Sequence, residues 1–131
     1  MMRYVIALAA ALVLNAAANL MMKFGVRRFG PLGIDLKEGM FPAVSGVLSN
    51  GVLLGGLLLF AANVVLYTYA LHRIKISAAY PVMVGGGFAI IAVVAWKVLD
   101  EHLSASQWAG VGLVLAGIYL IAREMTTIPV P

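Results

Sequence analysis

Residues 77–99 read SAAYPVMVGGGFAIIAVVAWKVL, a stretch in which Lys97 is the only charged residue. A helix needs about 20 apolar residues to cross the ~30 Å hydrocarbon layer of a bilayer. The run is continuous rather than alternating, and strands with unpaired backbone groups are not stable in lipid. The stretch is therefore predicted to cross a membrane as an α-helix.

Three further apolar runs of similar length extend this prediction to most of the chain. With 77–99, the predicted spans are 4–24, 51–71 and 105–122. The first run, preceded by Arg3, also imitates a cleavable signal peptide, but it continues to Phe24 and is expected to be a span. We expect a single all-α integral membrane domain over residues 1–131, with four transmembrane helices.

Local signals support these boundaries. Ser104 and Gln107 match a capping box, which predicts a helix start at Ala105, and Asn50 is a predicted N-cap for the second span. The loops 72–76 and 100–104 are short, which predicts antiparallel neighbours.

Composition excludes several classes of protein. Hydrophobic residues make up 63% of the chain and charged residues 11%, against about 25% charged residues in soluble domains. This excludes a soluble or disordered protein, and the lack of Cys excludes disulfides and thiolate metal sites. The sequence shows no nucleophile triad, phosphate loop, metal-ligand cluster or basic–aromatic patch. We therefore expect no enzyme, cofactor, metal site or nucleic-acid partner.

The first connection, residues 25–50, is long. Gly25, Gly30, Pro31 and Gly33 predict turns at its start. Apolar residues then recur at helical spacing, at Met40, Phe41, Val44, Val47 and Leu48. The spacing favours a membrane-surface segment or an early start to the second span, with a mobile gate as the alternative.

Basic residues give almost no signal for orientation. With four spans, one side of the membrane receives four of them, at Arg3, Arg73, Lys75 and Arg123. The other side receives five, at Lys23, Arg27, Arg28, Lys37 and Lys97. Cytoplasmic loops normally hold a clear excess of Lys and Arg. The balance is consistent with a weak bias, with insertion in both orientations, or with a partner of opposite orientation.

Three amides lie at membrane depth. Asn15 and Asn19 are four residues apart and share one helix face, and Asn63 lies in the middle of the second span. Because an unsatisfied amide in hydrocarbon is costly, these groups either bond across helix interfaces or line a substrate pocket. Tyr67 and Tyr69 are predicted to be interfacial anchors.

Acidic residues lie outside the predicted spans. They occur at Asp35, Glu38, Asp100, Glu101 and Glu124. Proton-coupled carriers normally use an ionisable group within the membrane, so coupling through a buried carboxylate is not expected.

Glycines mark two further features. In the third span, Pro81 precedes Gly85, Gly86 and Gly87, which predict either tight packing or a kink that differs between two transport states. In the fourth span, small residues at helical spacing predict a helix-packing or dimer surface, at Gly110, Gly112, Ala116 and Gly117.

Two motifs resemble a known superfamily. The stretches 69–81, YALHRIKISAAYP, and 100–110, DEHLSASQWAG, with Ala116-Gly117, resemble the EamA-like half of the drug/metabolite transporter superfamily. The four-span layout is similar to two of its branches. One is the small multidrug resistance family. The other comprises small subunits that flip undecaprenyl-phosphate-linked aminoarabinose, and the long first connection is more similar to these. Both branches imply dimers with opposed subunit orientation.

The resemblance to the small multidrug resistance family also implies roles for single positions. Tyr80 matches a pocket tyrosine. Gly85 and Gly87 match a helix kink, while Gly110 and Gly117 match helix packing. Two positions depart from the pattern: Asn15 replaces the essential membrane glutamate, and Met83 replaces a tryptophan. The first departure argues against proton-coupled export of cationic drugs.

We therefore expect a small dimeric transporter or flippase in the bacterial inner membrane. Its substrate would be an amphiphile or lipid-linked sugar, bound at Asn15, Asn19, Asn63, Tyr80 and Met83. Its partner would be a second copy, in parallel or antiparallel orientation, or a sister subunit. The alternatives are an exporter of cationic or hydrophobic compounds and a non-transporting membrane assembly subunit.

Overall fold

The computed structural model describes residues 2–29 and 39–125, apart from the side chains of residues 26–29, 42 and 43. This part of the chain contains five helices: α1 (Met2–Phe29), α2 (Met40–Ser49), α3 (Gly51–Ala70), α4 (Ile76–Val98) and α5 (Ala105–Met125). Helices α1, α3, α4 and α5 are long and apolar enough to cross a membrane. The prediction of an all-α membrane protein with four spanning helices is confirmed.

Helix α1 lies at the centre of the bundle. It packs most extensively against α3 and next against α4, whereas α5 packs on α4 and α2 touches α3. Helices α1 and α3 are antiparallel, because Tyr4 stacks on Tyr69 with ring centroids 5.1 Å apart and Gly25 approaches Leu53 at the other end. The order of helices across the bundle is α2–α3–α1–α4–α5.

The buried core lies towards the end of the bundle that contains the start of α1. Alanines make up much of it, so the helix backbones approach closely. Its buried members are Tyr4, Ala7, Leu8, Ala11, Ala70, Ile74, Ala79, Met83 and Met125.

Both predicted helix caps are present. The Asn50 side chain accepts a hydrogen bond from the Leu53 N–H at 3.1 Å, at the start of α3. At the start of α5, the Gln107 N–H donates to Ser104 Oγ at 3.2 Å, and the Ser104 N–H donates to Gln107 Oε1 at 2.7 Å. This reciprocal pair is the predicted capping box.

Two helices are longer than predicted. Helix α1 continues through Gly25, so this glycine is not a turn. A Cβ at Gly25 would lie 3.1 Å from the Leu53 nitrogen, and the Gly25 carbonyl accepts a hydrogen bond from Asn50 Nδ2 at 3.3 Å. The glycine therefore permits close approach of α1 and α3. Helix α5 continues to the buried Met125, which places the exposed Glu124 in its last turn.

Helix α2 is a separate element rather than an early start of α3. Asn50 has an extended backbone conformation, with φ −91° and ψ 100°, and it interrupts the helix between Ser49 and Gly51. Met40, Phe41 and Leu48 are exposed on α2. The predicted turns at 30, 31 and 33 and the charges at 35, 37 and 38 lie outside the described residues.

Candidate functional site

The amides of α1 form a short ladder on one helix face. Asn19 Nδ2 donates to the Asn15 carbonyl at 2.8 Å and lies 3.4 Å from Asn15 Oδ1. Asn15 is half-buried and Asn19 is exposed in the single chain. On the same face, Ala11 and Ala18 are fully buried. The alanines therefore pack between helices, while the amides lie at the edge of the packed region.

Asn15 faces α4 at its glycine run. The Asn15 Nδ2 atom lies 3.0 Å from where a Cβ of Gly87 would be, and Leu12 packs against Gly86 in the same way. Helices α1 and α4 therefore run parallel, with Asn15 at the level of Gly87. A side chain at position 87 would displace the amide.

Asn63 is the buried polar residue of α3. It is 2% exposed, and among the described residues its Oδ1 atom has no hydrogen-bond partner. Seven residues earlier on α3, Gly56 packs against Ala18 and Met22 of α1, and six residues later Tyr69 stacks on Tyr4. In this antiparallel register, Asn63 lies at the level of α1 residues 11–15. The level of Asn63 is therefore close to that of the Asn15 amide.

Tyr80 and Met83 occupy different environments. Tyr80 is 56% exposed, whereas Met83 is buried in the core with Ala7 and Ala11. Tyr80 precedes Gly87 by seven residues, about 10 Å along a helix. The structure thus brings Asn15, Asn63 and Gly87 to one level and places Tyr80 two turns away.

The glycine run of α4 allows close helix packing. Helix α4 is continuous from Ile76 to Val98 and includes Pro81. A Cβ at Gly85 would lie 2.5 Å from Ile118 Cδ1 of α5, and Gly86 and Gly87 face α1. The packing interpretation accounts for these contacts. A kink that changes between transport states stays a prediction.

The small residues of α5 point away from the rest of the chain. Nothing lies within 4 Å of the Cβ positions of Gly110, Gly112 and Gly117, and Ala116 is exposed. Val111, by contrast, is buried. The surface formed by these small residues is therefore not used within the described part of the chain and is available to a partner.

The interfacial position of Tyr67 stays a prediction, and the structure adds where its side chain packs. It packs against the core cluster, and among the described residues its hydroxyl is buried without a hydrogen-bond partner. Its spacing of four from Asn63 could have indicated a shared face, but α3 is apolar all round and offers little contrast between faces.

In the part of the chain that the structure describes, the carboxylates lie near the ends of the spanning helices. Glu101, in the loop after α4, forms an ion pair with Lys23 of α1 at 3.3 Å. Glu124 lies 3.4 Å from Arg123 in the last turn of α5. The middle of each spanning helix holds no acid, so hydrogen bonds and dipoles dominate the site's electrostatics.

Known proteins match most of the chain. The model of the small multidrug resistance protein family matches residues 41–114. The spermidine export protein MdtI of Klebsiella pneumoniae is 34% identical over 116 residues, which is 87% of each chain. The chain belongs to the small multidrug resistance family. Members of this family are small oligomeric transporters, and this one is a multi-pass protein of the bacterial inner membrane.

Two other relatives are similar over a shorter length. The uncharacterized protein y4nH of Sinorhizobium fredii is 38% identical over 69 residues, 53% of this chain and 59% of y4nH. A probable 4-amino-4-deoxy-L-arabinose-phosphoundecaprenol flippase subunit, ArnE of Pseudomonas fluorescens, is 32% identical over 59% of this chain and 67% of its own. No solved structure matches the chain. The family model begins at residue 41, so Asn15 lies before the matched region.

Proposed function

We propose that this small multidrug resistance family member moves an amphiphile or a lipid-linked polar headgroup across the inner membrane. The pocket would lie at membrane depth between α1, α3 and α4 of a dimer, lined by Asn15, Asn19, Asn63, Tyr80 and Met83. The observation that supports it is the buried Asn63 Oδ1, which lies near the level of Asn15 and has no partner among the described residues. An amide used only to join helices would be expected to have a partner.

The chemistry of this pocket suits a polar headgroup that forms hydrogen bonds. Amides and phenols bind hydroxyl and amino groups by hydrogen bonds without supplying a fixed charge. The names of MdtI and ArnE mention spermidine and 4-amino-4-deoxy-L-arabinose, and both compounds contain amino groups. Because no carboxylate lies within the spans, movement down a gradient is the simplest energy source.

A dimer would complete the pocket. The exposed small residues of α5, at Gly110, Gly112, Ala116 and Gly117, would form its contact. The partner is either a second copy or a sister subunit. The even split of basic residues favours subunits of opposite orientation.

Single cysteines test the orientation directly. The chain has no native Cys, so one Cys placed in loop 72–76 or 100–104 can be labelled with a membrane-impermeant maleimide. Labelling of one position from both sides of the membrane would support opposed orientations. Labelling from one side only would exclude an antiparallel homodimer.

Alternating access would use the glycine run of α4. Gly85 lies against α5, and Gly86 and Gly87 lie against α1, so a bend at this point would change both contacts. A glycine-rich segment bends at low cost because it lacks side chains that stiffen the helix.

Reconstituted transport tests the main proposal. Proteoliposomes containing fluorescent NBD-glucosylceramide report headgroup movement through loss of fluorescence to external dithionite. We expect the wild type to accelerate the loss and Asn15→Ala to slow it about ten-fold, as for about 1.4 kcal/mol of lost binding. Thr68→Val is the control, because Thr68 is exposed and its hydroxyl bonds to the Val64 carbonyl of its own helix, at 2.8 Å.

Chemical cross-linking completes this test. Loss of movement with the dimer intact supports a substrate role for Asn15. Parallel loss of dimer and movement would instead favour the assembly role. A wild type that does not move the lipid would contradict the lipid proposal.

A second candidate is export of a cation. The 34% identity to MdtI over 87% of both chains favours it. Radiolabelled spermidine uptake, measured with a pH-sensitive dye inside the same liposomes, distinguishes the two candidates. Spermidine movement with a matching proton flux would favour cation export.

A further inference from the structure

Two buried polar atoms of α3 are unpartnered among the residues that the structure describes. They are Asn63 Oδ1 and the Tyr67 hydroxyl. The residues are four apart on one helix face, which places their Cβ atoms about 5–6 Å apart. Buried polar groups normally find partners, and two exceptions on one face indicate a shared purpose.

Within the described residues, this pair lies in a mostly apolar part of the bundle. Tyr67 packs against core side chains that are mostly apolar, and Asn63 is 2% exposed. Two nearby polar side chains, one on α3 and one just after it, do have partners. Thr68 bonds to the Val64 carbonyl, and His72 Nδ1 lies 3.1 Å from the Thr68 carbonyl. Among the described residues, the buried side-chain atoms without a partner therefore lie on the face of α3 that carries Asn63 and Tyr67.

We propose that Asn63 and Tyr67 together bind a headgroup that donates hydrogen bonds, a hydroxyl or a primary amine, with Tyr67 as a specificity-determining residue. This inference rests on the proposed function and assigns the substrate class of its pocket. An amide oxygen can only accept, so its ligand must donate. The Tyr67 hydroxyl donates or accepts and would contact a second polar group on the same headgroup.

The same chemistry predicts which ligands are rejected. A quaternary ammonium has no N–H or O–H, so it would leave both α3 atoms unpaired. Sites built around buried polar groups discriminate strongly against ligands that cannot pair with them. Of two headgroups with equal charge, the one that carries N–H or O–H donors should therefore bind more tightly.

Three probes with one alkyl chain test the proposal. Octylammonium and octyltrimethylammonium have the same charge and differ in donors, and octyl glucoside offers hydroxyl donors without charge. Binding of each to the full chain in lipid nanodiscs is measured by calorimetry, with empty nanodiscs subtracted. We expect the wild type to bind octylammonium, octyl glucoside or both more tightly than octyltrimethylammonium. Comparing octyl glucoside with octylammonium shows whether the site binds hydroxyl groups, amino groups or both.

The Tyr67→Phe variant isolates the hydroxyl. We expect the preference for donor headgroups to fall about ten-fold, with binding of octyltrimethylammonium unchanged. Tyr69→Phe is the matched control, because Tyr69 lies on the same helix and stacks on Tyr4 instead. The thermal midpoint of empty Tyr67→Phe should equal or exceed that of the wild type, because the hydroxyl it removes is unpaired.

Each other outcome has a definite meaning. An unchanged preference in Tyr67→Phe overturns this inference alone. Equal weakening of all three probes, or a lower thermal midpoint, would mean that the hydroxyl is structural and would also overturn it. A wild type that binds none of the probes, and moves no lipid, would overturn both this inference and the proposed function.

Discussion

Replacing Asn63 with Leu should stabilise the protein while impairing its transport. Asn63 is buried, and its Oδ1 atom lacks a partner among the described residues. If the Asn63 side chain instead joined helices through a hydrogen bond, its replacement by Leu would destabilise the protein. The sign of the stability change therefore separates a binding role from a structural one.

The size of the effect follows from the unpaired acceptor. Leaving a buried acceptor unsatisfied costs about 1–3 kcal/mol. Leucine has a similar shape and removes this cost. Imperfect packing of the new side chain typically lowers stability by up to about 1 kcal/mol when a change is well tolerated. We expect the free energy of unfolding of Asn63→Leu to rise by about 1–2 kcal/mol.

The same change at Asn50 provides a control of opposite sign. Its Oδ1 accepts from the Leu53 N–H, and its Nδ2 donates to the Gly25 carbonyl. Asn50→Leu loses both bonds, so we expect its free energy of unfolding to fall by about 2 kcal/mol. Both variants are unfolded by increasing the mole fraction of SDS in dodecyl maltoside micelles, with helix content followed by circular dichroism at one protein concentration.

Two results for Asn63→Leu would contradict a binding role for this residue. If Asn63→Leu loses as much stability as Asn50→Leu, then the Asn63 amide is paired in the assembled protein. The interpretation of the α3 face as a binding surface would then be wrong. If Asn63→Leu is stabilised and still moves lipid at the wild-type rate, the amide has no role in transport.

Three further predictions concern packing and capping. Gly56→Val should lower the free energy of unfolding by about 1–3 kcal/mol, because its Cβ would lie 3.1 Å from the Ala18 carbonyl oxygen. Gly51→Val is the control and should not lower it, because nothing lies within 4 Å of that Cβ position. The SDS titration compares the two variants. Gly112→Leu should leave helix content unchanged by circular dichroism but reduce cross-linked dimer, because nothing in the described chain lies near it; an unchanged dimer yield would remove this position from the interface. Ser104→Ala should cost about 1 kcal/mol in the same titration through loss of the cap, and a cost near zero would show that the cap is dispensable.

Much of the fold was predictable because the sequence contains strong local signals. Continuous apolar runs identify the four spans, and Ser104, Gln107 and Asn50 identify two helix starts. The extension of α1 through Gly25 was not predictable, because glycine usually marks a turn there. Its reason is tertiary: the missing side chain lets α1 approach the backbone of Leu53.

Less of the candidate site could be predicted from the sequence. Four-residue spacing was enough to place Asn15 and Asn19 on one face, and their hydrogen bond is present. The packing of Tyr67 against the core and the burial of Met83 were not foreseen, because α3 and α4 are apolar on all sides and their pattern does not show which face points inward. Only the packing around α1 distinguishes these faces.

The distribution of satisfied polar groups gives the strongest argument for a binding surface. Near the helix ends, Asn50, Ser104 and His72 all have hydrogen-bond partners in the described part of the chain. Polar groups left unpaired by chance would be expected at such ends, because water can form hydrogen bonds with them there at little cost. The unpaired atoms on Asn63 and Tyr67 are instead buried, so an unsatisfied polar group there is costly. A marginally stable fold retains such a cost where a ligand, rather than the protein, supplies the partner.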